Sequence, residues 1–234
     1  MVQSLQQSAT EVESKIIAAC QRSGRKRNEV SVIAVTKYVS LERVKETVEI
    51  GYTHLGENRW QDAKSKWTFM QAEYKYLTWH FIGHLQTNKV KDIIGKFQMI
   101  HSLDRWALAE QIQKKASELG IITPCFVQVN ISGEESKYGL SPKDFMPFVN
   151  QLRELTSIHV VGLMTMAPYE ISAEMTRPIF RELRTLRDEA NRLNVYHEHI
   201  PHLSMGMSND FEIAIEEGAT WVRLGSILVG REAE

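Results

Sequence analysis

The sequence predicts an α/β fold: a (β/α)8 TIM barrel with an extra helix at the start of the chain. Three observations predict it. Short apolar runs alternate with amphipathic segments along the whole chain, and eight such runs can be placed. No stretch rich in Pro, Gly or Ser divides the 234 residues, so residues 1–234 are expected to form one barrel domain.

The first element is a helix, because Leu5, Ala9, Val12, Ile16 and Ala19 recur every three or four residues. The strands are then expected at about 30–36, 53–57, 76–82, 98–103, 124–130, 158–165, 199–204 and 220–224. The first is the clearest, since Val30 to Val35 is nearly continuous and β-branched, as in a strand covered on both faces. Between strands lie helical stripes: Leu41, Val44 and Val48; then Leu108, Ile112, Ala116 and Leu119; and the longest, Met175, Ile179, Leu183, Leu186, Ala190 and Leu193. An open doubly wound sheet is the competing arrangement, but strict alternation through eight strands favours closure.

Composition narrows the function classes. The formal charge is −1, from 28 basic and 29 acidic residues, so no global field recruits nucleic acid or an anionic membrane. No apolar stretch approaches the roughly 20 residues that span a bilayer, and the start of the chain reads as a polar helix and not a signal peptide. A soluble cytoplasmic protein is expected, a monomer, with Cys20 and Cys125 as reduced core residues.

Lys37 closes the first strand, where a (β/α)8 barrel places its active site. A lysine there either extends into solvent along its own stem or does chemistry. After the seventh strand comes Ser204-Met205-Gly206-Met207-Ser208-Asn209-Asp210, leading into a helix from Phe211 to Glu217. Such a segment is either an ordinary capped helix start or a phosphate loop, with Gly206 admitting close backbone approach and the hydroxyls donating. The eighth strand ends in Arg223-Leu224-Gly225-Ser226, a second glycine and hydroxyl on the same rim. Arg223 is costly in an apolar strand unless partnered; it either faces a polar group in the barrel or pairs with a carboxylate such as Glu57.

A lysine amine facing a phosphate site suggests a Schiff base with a phosphorylated carbonyl compound. A sugar phosphate and pyridoxal 5′-phosphate both fit. Arg223 leans toward the second, because a guanidinium beside the phosphate site can donate to a pyridine nitrogen.

Six blocks carry a family resemblance: Val35-Thr36-Lys37; Gly56-Glu57-Asn58 with Arg59-Trp60-Gln61; Trp79 to Lys89; Gly162-Leu163-Met164; His202 to Asp210; and Val222-Arg223-Leu224-Gly225. From about Lys15 to Gly230 the chain resembles the YggS/PROSC family of pyridoxal-phosphate homeostasis proteins. Departures are small, with Thr36 where Ser is common and Val229 where an aromatic is common. The resemblance implies a barrel like the N-terminal domain of alanine racemase, with Lys37 carrying the Schiff base. It implies phosphate contacts from Ser204, Gly206, Met207, Gly225 and Ser226, Arg223 at the pyridine nitrogen, Asn58 at the ring edge and Met164 packed near the ring.

Because arginine only donates, the ring nitrogen would stay unprotonated and the cofactor would be a poor electron sink. Racemisation also needs a second base, which alanine racemase takes from another domain and subunit; only four residues follow Gly230 here. The expectation is therefore a carrier of pyridoxal phosphate serving vitamin B6 and amino-acid balance, with apo-enzymes as possible recipients and no catalytic residue. A low-activity amino-acid racemase is the alternative. Tyr38 is the local candidate for the missing base, although strand alternation would turn it away from Lys37. His80 and His84, beside Gly83, read as rim hydrogen-bonders. His197, His199 and His202 lack a completing ligand for a metal. The segment Ser132 to Gly139 is either a flexible lid or a solvated turn.

Overall fold

The computed structural model describes residues 4–230. Eight parallel strands close into a barrel in sequence order, each paired with the next and the last with the first. They are β1 (Ser31–Val35), β2 (His54–Glu57), β3 (Thr78–Phe81), β4 (Met99–Leu103), β5 (Thr123–Gln128), β6 (Ile158–Met164), β7 (His202–Ser204) and β8 (Trp221–Leu224). Every strand lies within its expected segment to within one residue, most of them a little shorter.

The additional helix is α1 (Leu5–Arg22), started by Ser4, whose hydroxyl accepts from the Gln7 N–H. The outer ring contains α2 (Leu41–Glu49), α3 (Trp60–Glu73), α4 (Val90–Ile93), α5 (Trp106–Glu118), α6 (Pro142–Gln151), α7 (Arg177–Arg192) and α8 (Phe211–Glu216). Helix α1 is tied to α8 by Arg22, which reaches Glu212 and Glu216, and Arg25, just past α1, donates to the carbonyls of Ile215 in α8 and Ala219 beyond it.

The stripe expected for α7 is displaced. Pro178 sits in the first turn, so the helix starts at Arg177 and Met175 falls outside it, exposed. Phe180, Leu183 and Ala190 are the buried residues, and Leu193 is exposed.

Two cores result. A large one fills the space between strands and helices, and a smaller one of Ile33, Phe126, Val161, Met164 and Trp221 lies on its own. The smaller set belongs to the barrel interior: a Cβ on Gly56 of β2 would come within 2.8 Å of Ile33. Alternation then turns Glu57 outward, toward α3. Both cysteines are buried and unpaired.

Candidate functional site

A cavity of about 420 Å³ opens at the carboxyl ends of the strands. Lys37, Asn58, Met207, Arg223, Gly225 and Ser226 all line it, drawn from the ends of β1, β2, β7 and β8. Three other expected residues lie elsewhere. Ser204 is fully buried beneath Arg223, Gly206 packs against α8, and Met164 belongs to the interior core, while Met166 lines the cavity two residues later.

Lys37 stands in the turn just past β1 and is half-buried. Among the described residues no carboxylate lies within ion-pair distance of its amine. The Nζ is 4.8 Å from the centre of the Tyr38 ring, which also lines the cavity. That differs from the alternation argument, and the reason is local: β1 ends at Val35, so the strand period no longer governs residues 37 and 38.

The backbone beneath Lys37 is fixed from outside the barrel. Lys66 of α3 is buried and donates to the Thr36 carbonyl at 2.7 Å; its Nζ also lies 2.7 Å from Glu57 Oε1, and the Thr36 hydroxyl donates to that same oxygen at 2.7 Å. Burial pushes the Glu57 carboxyl above its ordinary range, against the pull of Lys66 and Thr36. Glu57 is thus the partner of Lys66 and not of Arg223, because it faces outward while Arg223 faces the cavity.

Arg223 is buried and held by neutral groups. One guanidinium nitrogen donates to Ser204 Oγ at 2.7 Å and another to the Thr165 carbonyl at 2.9 Å. Burial lowers its pKa to about 10, with Asp210 acting in the other direction. The Asp210 carboxylate itself accepts the Met207 N–H at 2.6 Å, which pins the loop before α8.

Gly206 has φ of +93°, and a Cβ there would lie 2.6 Å from the Ala214 Cβ and 3.0 Å from the Phe211 Cα. Only glycine fits both the left-handed backbone and the close approach to α8. Gly206→Ala is expected to cost about 3 kcal/mol, from the backbone penalty and overpacking together, measured by urea unfolding. Gly225 differs, since a Cβ would meet Val35 at an ordinary 3.6 Å. Glycine there keeps the cavity wall bare and relieves no clash.

Several cavity residues were missed. Tyr138, Tyr169 and Gln128 also line it, beside the expected His84. The 132–139 segment brings Tyr138 over His84, with ring centres 3.7 Å apart, and its backbone is held by Asn130 and Gln128. His84 therefore lies on the rim, as expected, but stacks there and its Nδ1 has no hydrogen-bond partner among the described residues; His80 is not on the rim, being fully buried and hydrogen-bonded to His54 and His101 inside the barrel.

Comparison with known proteins places this geometry. The sequence profile of the family "Alanine racemase, N-terminal domain" matches residues 14–233. The "Pyridoxal phosphate homeostasis protein" of Aquifex aeolicus is 46% identical over 219 residues, covering 94% of each chain. The chain belongs to the pyridoxal phosphate homeostasis protein family. A solved member of similar shape is PipY of Synechococcus elongatus PCC7942 with PLP bound, at 35% identity and a TM-score of 0.81, covering 94% of this chain and 100% of that one. An alanine racemase of Clostridium difficile 630 shares the fold at 17% identity and a TM-score of 0.70, with 94% of this chain matched to 56% of that one. Pyridoxal phosphate homeostasis proteins of this kind are thus built on the racemase barrel.

The residues present fit a phosphorylated pyridine aldehyde. Among the described residues, a lysine amine with no carboxylate partner, a buried guanidinium with only neutral hydrogen-bond partners, and an Asn58 Oδ1 that is buried without a hydrogen bond all belong to one cavity.

Proposed function

We propose that this chain binds pyridoxal 5′-phosphate in the rim cavity, held as a Schiff base on Lys37, and serves pyridoxal phosphate and amino-acid balance without turning over a substrate. The observation that carries this reading is the pairing of Lys37 and Arg223 in one cavity, where among the described residues the amine has no carboxylate partner and the guanidinium is hydrogen-bonded only to neutral groups.

When bound, pyridoxal phosphate supplies an aldehyde that condenses reversibly with an amine, and a dianionic phosphate. The chain's residues divide the work. Lys37 offers the amine, and the segments 204–210 and 225–226 offer small residues and backbone N–H groups to the phosphate, with Ser204 acting through its hold on Arg223. Arg223 donates to the ring nitrogen and holds no proton acceptor toward it, so electron withdrawal into the ring is weak. Asn58 meets the ring edge, and Met164 supports the barrel interior below.

The same reading takes the chain as one barrel domain, a monomer and a cytoplasmic protein, with pyridoxal-phosphate-dependent apo-enzymes among its possible partners. Among the described residues no helix is long and apolar enough to cross a membrane, and the two cysteines are unpaired.

Tyr38 gives the racemase reading its one specific observation, since its ring lies beside Lys37 in the cavity. Exchange of the α-proton of alanine in heavy water separates the two. The loaded protein is expected to show exchange no faster than free pyridoxal phosphate; robust exchange, lost in Tyr38→Phe, would establish turnover instead.

A further inference from the structure

The interior of a (β/α)8 barrel is ordinarily filled by branched aliphatic side chains. Here three histidines cross it. His54 Nδ1 lies 3.1 Å from His80 Nε2, His80 Nδ1 lies 2.9 Å from His101 Nε2, and His101 Nδ1 lies 2.9 Å from Ser204 Oγ. Ser204 Oγ in turn accepts from Arg223. One continuous line of hydrogen bonds thus runs from His54, half-buried at the amino end of β2, to the floor of the cavity. His80, His101 and Ser204 are fully buried.

We propose that His101, His80 and His54 form a polarised chain whose direction is set by Arg223 and which, through Ser204, positions that guanidinium in the cavity. The direction follows from counting protons. Arginine only donates, so Ser204 spends a lone pair on it and is best satisfied by giving its own proton to His101 Nδ1. A neutral imidazole has one N–H and one lone pair, so His101 must donate from Nε2 to His80 Nδ1. His80 then donates from Nε2 to His54 Nδ1, and His54 points its Nε2–H outward. In the opposite direction Ser204 would accept twice, and its proton would need a further acceptor in a buried site. Burial holds His80 and His101 well below the ordinary imidazole range, which keeps both rings neutral, as the chain requires. Phe126 stacks on His101 with ring centres 4.1 Å apart, and Trp221 packs against His80 and His54, so the rings have little freedom to turn.

The chain makes His54, His80 and His101 positioning residues for a group they do not touch. Its bearing on the ligand rests on the proposed function; its polarity does not.

Two measurements test it on the full-length protein. Long-range proton–nitrogen NMR of the imidazoles, without ligand, is expected to show all three histidines as neutral Nε2–H tautomers near neutral pH. Nδ1–H on His80 or His101, or a charged ring at either, would overturn the chain. The second compares two substitutions. His80→Gln keeps an acceptor for His101 and a donor for His54, whereas His80→Leu keeps only bulk. Pyridoxal phosphate affinity, followed by absorbance, is expected to fall about three- to tenfold in His80→Leu, a typical hydrogen-bond contribution, and to stay within about twofold in His80→Gln. A leucine variant that binds like the parent, or a glutamine variant as weak as leucine, would refute the positioning role. A parent with the Nε2–H pattern that bound no pyridoxal phosphate would count for the chain and against the functional reading.

Discussion

Lys37→Ala is expected to fold as the parent does and to lose all borohydride-fixable pyridoxal phosphate. The two halves of that expectation have separate causes. Lys37 is half-buried in a turn, ends no helix, and has no carboxylate within ion-pair distance among the described residues, so its removal breaks no stabilising contact beyond the Tyr38 ring. Substitutions of that kind usually fall within about 0.5 kcal/mol. The chemistry, by contrast, needs an amine at that point, and no other lysine lines the cavity among the described residues. Arg223 and the glycine-containing loops remain in the variant, so reversible binding should persist with lower affinity and without the shifted absorbance of a Schiff base. Thermal unfolding and reduction with borohydride, run on the same preparation, separate the two effects.

The largest effect on stability is expected at Lys66. Glu57 is fully buried, and Lys66 is its only cationic partner among the described residues. Removing one member of a buried ion pair leaves an uncompensated charge and costs about 3–5 kcal/mol, so Lys66→Met should approach that at neutral pH. The pH dependence has a definite sign. Glu57 already has its folded-state pKa raised by burial, and losing Lys66 raises it further. A group whose folded pKa exceeds its unfolded value contributes most below the unfolded value, near about 4.3, and loses that contribution as pH rises through the folded one. The deficit of Lys66→Met should therefore shrink as pH falls toward about 5 and widen toward 7. Urea midpoints across that range read it directly. The double variant Glu57→Gln, Lys66→Met should recover much of the loss, because the stranded charge is gone. Since Lys66 also holds the Thr36 carbonyl, the single variant should in addition weaken pyridoxal phosphate binding through the loosened backbone at Lys37.

The elements that were legible in the sequence are those whose signal is local. Parallel strands buried on both faces read as short apolar runs, most plainly the β-branched Val30 to Val35, and all eight lie where a strand was expected. Lys37 and Arg223 stood out because a charge ending or interrupting an apolar run is costly without a purpose. Gly206 stood out because a glycine before a helix admits close approach. What escaped notice depends on distance in the chain. Lys66 sits on a helix and Glu57 on a strand, and only the outward turn of Glu57, next to inward Gly56, brings them together. His54, His80 and His101 occupy neighbouring strands, and each alone looks like an ordinary polar residue. Their common direction appears only once the register pairs His54 with Thr78 and His80 with Met99. Tyr138 and Tyr169 lie in irregular segments, where no period indicates which side chain turns inward.

The alternation rule failed at Tyr38 for a related reason. It was applied one turn beyond the end of the strand.

The central claim is that Lys37 is the covalent anchor for pyridoxal phosphate. It is tested most directly by loading the protein with pyridoxal phosphate, reducing with borohydride and mapping the peptides by mass spectrometry. The account predicts a single phosphopyridoxyl adduct, on the peptide containing Lys37. An adduct confined to another lysine, or none from a protein that binds the cofactor, would contradict it.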